Sequence, residues 1–388
     1  MPGRRTCGGA GLCLAVISAL AATMAAPAAE QARQATTPRD AGDGWFDASD
    51  FLDHAHGFLP LVTPITEPAV GYGALGALVF IDRNAPGEAT GYARPDITAV
   101  GGLATENGTG GVFALHLGSW LDDRLHTIAG MASTHVDLEF FGLGGDHVSA
   151  DNPLDYTVEA RGGLAGGSYR WGTLPLWVGL RYALVNTTVS PGEPPAGFPG
   201  FTPEDRDLRL GMLTPTITLD TRDNFFTPTR GWYLDLSPQV FRDWLGGDRD
   251  FEKWTLTGLY YRPLGANLFL AARATGKTSS SGTPFFLRPY VALRGVQALA
   301  YQGEKAAEVE GELRWQFHPR FSLAGFAGGG IARGGDATPD RESEVLAGGA
   351  GLRYLVASRY GLHMGLDLAL GPDDPVIYVV LGSAWLRP

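Results

Sequence analysis

The amino-acid sequence predicts an all-β protein, a transmembrane antiparallel β-barrel of about sixteen strands with one loop folded into its lumen. Three observations predict this fold. Apolar and polar residues alternate along many segments, glycine makes up 55 of the 388 residues, and short and long connections alternate between the segments. Alternation places successive side chains on opposite faces of a strand. Bacterial barrels join their strands by short turns at one end and longer loops at the other.

The clearest alternation begins after residue 307. Leu313 and Trp315 fall on one face of this segment, and Glu310 and Glu312 fall on the other. We predict that the apolar face meets lipid and that the polar face meets a wet lumen. Alternation alone also fits a soluble β-sandwich or propeller, whose apolar face is buried in a core. The sequence lacks the blade-length repeat that is typical of a propeller.

Aromatic residues favour the membrane barrel over the soluble alternatives. Trp120, Trp171, Trp232 and Trp385 lie near the ends of predicted strands. Aromatic girdles at the two membrane interfaces are typical of outer-membrane barrels. The predicted strands cover residues 58–66, 69–82, 97–105, 110–121, 124–141, 154–171, 176–190, 208–222, 231–245, 251–264, 267–280, 308–319, 320–334, 344–358, 361–371 and 375–387.

The N-terminus has the pattern of an export signal. Arg4 and Arg5 precede an apolar stretch over residues 8–24, and small residues at 26–29 form a cleavage site. We therefore divide the chain into a signal peptide (1–29), a disordered leader with a short periplasmic segment (30–56) and an outer-membrane barrel (57–388). A retained membrane anchor is the alternative, which a short, alanine-rich stretch disfavours. An exported chain without a later apolar run is periplasmic, secreted or an outer-membrane barrel. The predicted barrel favours the outer membrane of a Gram-negative bacterium.

Composition and motifs argue against enzymatic and nucleic-acid-binding functions. The net charge is −11, which disfavours binding to nucleic acid. Neither a Gly-x-Ser-x-Gly elbow nor a His-Glu-x-x-His motif occurs, and the two cysteines, Cys7 and Cys13, lie within the signal peptide. We therefore predict no enzyme activity, no cofactor and no metal. His54 and His56 beside Asp53 are the remaining candidate for a weak metal site.

Three blocks of residues carry a family resemblance. They are a barrel-start motif (Thr66, Glu67, Pro68, Gly71, Tyr72 and Gly73), a hairpin motif (Asp220, Arg222, Asp223, Asn224, Pro228 and Gly231) and a lumen-loop motif (Leu293, Arg294, Gly295 and Val296, followed by residues 311–315). In this order they resemble the bacterial surface-antigen superfamily of outer-membrane assembly factors, whose best-known members are the barrel subunits of the Bam and Tam machines. The chain is similar to short members without periplasmic POTRA repeats.

The chain departs from the family pattern at the lumen-loop motif and in the next strands. Leu293 stands where the family has valine, and Val296 stands where it has an aromatic residue. Residues 326–330 are glycine-rich at a position where the family often has an aspartate. There is no room for the repeats that receive client chains, which weakens the expectation of a complete assembly machine.

The resemblance implies that Arg294 pairs with acidic residues of neighbouring strands. A guanidinium inside a narrow lumen needs carboxylate partners because an unpaired buried charge is costly. Glu310, Glu312 and Asp367 face the lumen by alternation and can supply them. Our hypothesis is that this pairing fixes the loop and holds the shape of the barrel. The alternative is a solvated arginine outside the barrel.

The hairpin motif is expected to be structural. Asp and Asn side chains stabilise tight turns by bonding to nearby backbone, and Pro228 and Gly231 fit such a turn.

Two functions remain open from the sequence. The first is assistance in inserting or assembling proteins or lipids in the outer membrane, through first and last strands that meet poorly. Pro60 and Pro64 indicate that the first strand is an edge strand. The second is a passive channel or structural barrel. The expected partners are outer-membrane lipid, unfolded outer-membrane proteins or lipids as clients, and periplasmic proteins that replace the missing domains.

Overall fold

The structure is a computed structural model that describes residues 39–40, 42–50, 57–82, 96–140, 154–191, 206–334 and 342–385. The predicted signal peptide, most of the predicted leader and the residues 53, 54 and 56 proposed as a weak metal site lie outside the described residues. Four connections between strands, at 83–95, 141–153, 192–205 and 335–341, also lie outside them.

Sixteen antiparallel strands form a single sheet in sequence order, which confirms the predicted all-β barrel. The strands are β1 (Gly57–Ile65), β2 (Gly73–Asp82), β3 (Asp96–Thr105), β4 (Gly110–Trp120), β5 (Leu125–Phe140), β6 (Leu154–Arg170), β7 (Leu176–Pro191), β8 (Asp207–Asp220), β9 (Gly231–Phe241), β10 (Phe251–Pro263), β11 (Leu268–Ser279), β12 (Lys305–His318), β13 (Phe321–Arg333), β14 (Glu342–Ala357), β15 (Leu362–Leu370) and β16 (Val376–Leu381). No helix among the described residues is long and apolar enough to cross a membrane.

Three predicted strands were too long. Residues 68–70 form a 3-10 helix before β2, and residues 243–245 form another after β9. The last strand ends at Leu381 because Gly382 adopts a left-handed φ of 73° and turns the chain away from the sheet. Alternating patterns could not show these ends, since the residues beyond them are also partly apolar.

The outer face of the barrel is apolar, as predicted. Leu313 and Trp315 on β12 are about half exposed, and so are Leu352 and Leu366 on the next strands. Their sequence neighbours point inward and include buried charged residues such as Glu310, Arg353 and Asp367. A chain with charge inside and apolar side chains outside is suited to a lipid environment.

The lumen is not uniformly polar, which corrects the prediction of a wet lumen. The buried charged residues of the described strands, here called the charged sector, lie on β11, β12, β14 and β15. The inward face of β1–β4 instead carries buried apolar residues: Leu61, Leu75, Ala77, Val79, Ile81, Ala99 and Phe113. Because β2 is apolar on both faces, its sequence does not show which face is inside.

The barrel has two unlike rims. The turn rim carries the connections 121–124, 171–175, 264–267, 319–320 and 358–361, and both the start of β1 and the end of β16. The loop rim carries the long connection over residues 280–304, here called the lumen loop. Exceptions to the pattern are the short connections 106–109 and 371–375 on the loop rim and the longer connections 83–95 and 221–230 on the turn rim.

The sheet has two free edges, here called the seam. β1 pairs only with β2, and β16 pairs only with β15 among the described residues. β16 is also the shortest strand, with 6 residues against 9 in β1. The position of β1 at an edge agrees with its two prolines.

Candidate functional site

The lumen loop descends into the barrel and is folded rather than irregular. It contains a 3-10 helix at Phe285–Leu287 and a bridge between Tyr290 and Gln302. The amide of Val291 donates to the carbonyl of Tyr301 over 3.0 Å. These local bonds satisfy backbone groups that would otherwise be buried without partners.

One part of the loop fills the lumen with apolar side chains. Phe286, Leu287 and Leu299 are buried against the inner faces of β5 to β10. The strand residues in this cluster are Val136, Leu138, Tyr156, Val158, Ala183, Val189, Leu208, Leu210, Met212, Phe241 and Phe251. Burial of this much apolar surface holds the loop in the lumen and closes this part of the barrel.

Arg294 lies at the centre of the charged sector. Its Nε donates to Glu310 Oε1 at 2.7 Å, and its Nη1 donates to Glu312 Oε2 at 2.8 Å and to Asp367 Oδ2 at 2.7 Å. All three acidic residues named from the sequence therefore contact it. Asp367 and Glu310 are 0% and 2% exposed, so these charges depend on one another for solvation.

Three further cations pair with acidic residues of the charged sector. Arg353 forms a two-pronged pair with Asp367, in which Nη2 lies 2.9 Å from Oδ2. Arg273 donates to Glu310 Oε2 at 3.2 Å, and Lys277 lies 2.9 Å from Glu308. Arg273 and Lys277 also donate to loop carbonyl oxygens, those of Ala292 and Tyr290. The pairs therefore join β11, β12, β14 and β15 to the loop.

Two aromatic side chains enclose the Arg294 guanidinium. Its central carbon lies 3.6 Å from the ring centroid of Phe326 and 5.7 Å from that of Trp385. Trp385 also donates from Nε1 to Glu310 Oε2 over 2.7 Å. Cation–π contact is stronger when both groups are removed from water.

Trp385 was expected in an interfacial girdle, and that prediction was wrong. It is buried in the lumen against Tyr233, Leu259 and Tyr261 of β9 and β10. The reason is the turn at Gly382, which sends the chain inward after β16. The amide of Ser383 then donates to the Phe226 carbonyl over 2.6 Å.

Gly295 allows the loop tip to approach β15. Its φ is 86°, and a side chain there would lie 3.1 Å from the Leu370 backbone. A Cβ on Gly371 would in turn lie 1.7 Å from the Gly295 carbonyl oxygen. Glycine is therefore required on both sides of this contact.

The glycine-rich part of β13 accommodates the apolar residues of the loop. A Cβ on Gly328 would lie 3.0 Å from Leu293, and one on Gly330 would lie 2.3 Å from Val291. Leu293 and Val296 are both buried in this cluster. The loop tip and the glycine-rich part of β13 both depart from the family pattern, and they pack against each other.

The hairpin motif forms the β8–β9 turn at the turn rim, away from Arg294. Arg222 pairs with Asp220 through Nε and Nη2, at 2.8 and 2.7 Å. Asp223 accepts from the amides of Thr229 and Arg230, and Asn224 donates to the Tyr360 carbonyl over 2.8 Å.

The same turn depends on its last glycine. Gly231 has a φ of 113°, and a Cβ there would lie 2.3 Å from the Thr221 carbonyl. Pro228 lies within the turn. These contacts lie within the turn or join it to the β14–β15 turn through Tyr360.

The barrel-start motif forms the first turn on the loop rim. Thr66 follows β1, Pro68 begins the 3-10 helix, and Gly71 has a φ of 76°. Glu67 Oε1 accepts from the amide of Ala298 in the lumen loop at 3.3 Å. Burial raises the pKa of Glu67 above its usual range, against two backbone hydrogen bonds that lower it.

Tyr72 and Gly73 complete that turn. The Tyr72 carbonyl accepts from the amide of Glu106 over 2.9 Å, and the Tyr72 ring is 56% exposed. A Cβ on Gly73 would lie 2.2 Å from the Ala104 carbonyl, so the strands approach closely here. The motif thus joins the first turn to β3 and to the lumen loop.

The sequence analysis assigned no partner in the charged sector to six of its residues: Arg273, Lys277, Glu308, Phe326, Arg353 and Trp385. Alternation places all of the strand residues inward, but only the strand register brings Arg273 beside Glu310. No group of acidic, histidine or cysteine side chains that could hold a metal occurs among the described residues.

Comparison with known proteins decides the family. Residues 131–372 match the Omp85 superfamily domain. The chain belongs to the Omp85 superfamily. This match confirms the resemblance to outer-membrane assembly-factor barrels that the motifs indicate. No curated protein matches the sequence.

Solved structures share the Omp85 fold at low identity. BamA from Haemophilus ducreyi, lacking POTRA domains 1–3, superposes with a TM-score of 0.58 and 10% identity over 84% of this chain and 70% of that one. CdiB from Escherichia coli gives 0.54 and 12%, and CdiB from Acinetobacter baumannii gives 0.54 and 11%, each over 84% of this chain. The matched part is 59% of either CdiB chain, so the likeness shows the fold alone.

Proposed function

We propose that this Omp85 barrel lies in the outer membrane of a Gram-negative bacterium, with its turn rim toward the periplasm, and assists the insertion or assembly of proteins or lipids there. The observation that carries the proposal is the seam. β1 and β16 present strand edges with no partner among the described residues. An unpaired edge is a template for another strand and a lateral route into the bilayer.

The loop that fills part of the lumen favours this proposal over a passive channel. The lumen loop is buried against β5–β10 on one side and bonded to β11–β15 on the other. A solute would have to displace both sets of contacts. A client that enters through the seam would not.

The proposed partners are the outer-membrane lipid and unfolded barrel proteins or lipids as clients. Receiving domains would come from periplasmic partner proteins. The proposal includes no enzymatic step, cofactor or nucleic acid.

The test is client folding in lipid vesicles. The chain from Glu30 onward has no cysteine, so Val62→Cys on β1 and Ile377→Cys on β16 can be joined by a bifunctional thiol reagent. Both positions are exposed on the outer face. An unfolded small barrel protein is added, and its folding rate is followed with and without this protein.

The matched control joins Leu352→Cys to Leu366→Cys, which are paired and exposed on β14 and β15. We expect acceleration by the free protein and by the control, and none by the seam-linked protein. A folded barrel that leaves the client rate unchanged would remove the proposal, and leakage of graded solutes would then test the channel.

A further inference from the structure

Residues 39–40 and 42–50, here called the strap, pack against the turn rim. Asp40 and Trp45 close a small turn, in which the amide of Asp40 donates to the Trp45 carbonyl over 2.9 Å. Arg39 and Phe46 pair as an isolated bridge. The strap is therefore a folded element, although it lies in the part expected to be a leader and short periplasmic segment.

Arg320, in the turn between β12 and β13, holds the strap through three carboxylates. Its Nη2 donates to Asp40 at 2.7 Å, its Nη1 donates to Asp47 at 2.6 Å, and its Nε pairs with Asp43. The Arg320 side chain is only 3% exposed. The hydrogen bond from Arg320 lowers the pKa of the Asp43 carboxyl.

The strap is also attached on the outer, lipid-facing side of the barrel. The Trp45 ring meets Phe321 edge-on at 5.3 Å and lies 5.8 Å from His318 and 6.5 Å from Tyr354. The Tyr354 hydroxyl donates to the Phe46 carbonyl over 2.6 Å. Trp45 and Phe46 remain about half exposed beside Trp315 and Phe317, a position typical of an aromatic girdle.

The rest of the strap follows the rim toward the seam. The amide of Ala48 donates to the Val356 carbonyl over 2.7 Å, and the amide of Arg359 donates to Ser49 Oγ over 3.1 Å. Ala48 is buried with Val356, Ala357 and Leu362, and with Leu381 at the end of β16. The strap thus runs from β12 to the last strand.

The chain then continues directly into β1. Residues 51–56 alone separate the strap from Gly57, the first residue of β1. An extended chain reaches at most about 3.6 Å per residue, so an anchored strap limits how far the start of β1 can move. The strap is anchored to β12–β16 on one side of the seam, and β1 lies on the other side.

We propose that the strap restrains the seam at its turn-rim end, with Arg320 as the positioning residue. While the strap is anchored, β1 and β16 separate mainly toward the loop rim, and its release lets them separate along their whole length. This inference rests on the proposed function, since it assigns a restraint to the same seam. It makes the strap the part of this short chain that controls access for clients.

The test measures the seam directly and without a client. Spin labels are placed at Pro60→Cys and Val379→Cys, in the turn-rim halves of β1 and β16, and the distance distribution is recorded in vesicles for the parent and for Arg320→Gln. We expect a narrow distribution in the parent. In Arg320→Gln we expect it to broaden and to lengthen by at least one strand spacing, about 4.8 Å. Release of the strap is verified separately by faster thiol labelling of Ala48→Cys, which is buried in the parent.

The matched control is Arg333→Gln, at the opposite end of β13, where Arg333 pairs with Glu342 at the surface. It should leave the distribution unchanged.

If Arg320→Gln does not fold, the double variant Asp43→Asn, Trp45→Ala loosens the strap from the other side and keeps Arg320. A released strap with a parental distribution would overturn the proposal. Because no client is present, a failure of client folding in the parent would count against the proposed function and not against the strap.

Discussion

Arg294 Nη1 lies 2.7 Å from Asp367 Oδ2, a contact that bonds the tip of the lumen loop to β15 across 73 residues of sequence. The same guanidinium contacts Glu310 and Glu312 on β12. One side chain thus joins two strands that do not pair with each other. The arrangement explains how a loop from the rim can set the shape of a barrel whose first and last strands are not paired with each other among the described residues.

Removing the Arg294 guanidinium should destabilise the barrel strongly. Arg294→Ala leaves carboxylates buried without their main partner, which typically costs about 3–5 kcal/mol. We expect a clearly lower unfolding temperature by circular dichroism in detergent or lipid. Arg333→Ala removes a surface pair and should cost less than about 1 kcal/mol. Equal unfolding temperatures for the parent and Arg294→Ala would show that the pairing does not hold the loop.

Two substitutions of Trp385 separate its packing from its hydrogen bond. Trp385→Phe keeps most of the ring and loses the bond to Glu310, which should cost about 1 kcal/mol. Trp385→Ala also leaves a cavity and should cost about 3–5 kcal/mol. Denaturant titration gives both free energies of unfolding. If Trp385→Ala were as stable as the parent, the inward turn of the C-terminus would not be part of the folded core.

Gly295→Ala should destabilise the loop tip. Its left-handed backbone costs a residue with a side chain about 1–2 kcal/mol, and the new Cβ would press on Leu370. Gly311→Ala on β12 is the control, because a Cβ there meets nothing within 4 Å. We expect a lower unfolding temperature for Gly295→Ala and an unchanged or higher one for Gly311→Ala. The opposite order would contradict the close contact between the loop and β15.

Glu67 should make stability depend on pH. Burial raises the pKa of its carboxyl in the folded barrel above the ordinary value of 4.5, so the folded state binds a proton more readily than the unfolded state. The contribution of Glu67 to stability is therefore present below pH 4.5 and is lost as the pH rises through the raised pKa. Glu67→Gln should remove this slope and stabilise the barrel at higher pH.

The measurement is the denaturant midpoint from pH 4 to 8 for the parent and Glu67→Gln. Tyr378 is a titratable group whose charge interacts with that of Glu67, and Tyr378→Phe serves as the control that should keep the slope. A difference between parent and Glu67→Gln that stays constant over this range would show that Glu67 is not buried as described.

The strands were predictable because alternation is a local property. Each of the sixteen predicted segments overlaps one observed strand, and the inward positions of Glu310, Glu312 and Asp367 follow from parity along a strand. Alternation cannot show which face points inward where both faces of a strand are apolar, as in β2. The apolar inner wall of β1–β4 was therefore not predicted.

Contacts between distant segments were harder to predict. The pair of Arg273 with Glu310 depends on the register between β11 and β12, and the pair of Arg353 with Asp367 depends on that between β14 and β15. The position of Trp385 depends on the backbone conformation at Gly382. The pairing of Arg320 with three aspartates depends on where the strap lies. None of these has a periodic signal in the sequence.

The most direct test of the proposed function is the folding rate of an unfolded barrel protein in vesicles that contain this protein, with the seam free or linked between residues 62 and 377. The proposal predicts acceleration with a free seam, the same acceleration with the control link between residues 352 and 366, and loss of acceleration with the linked seam. A client that folds equally fast in all of these vesicles and in empty ones would contradict it.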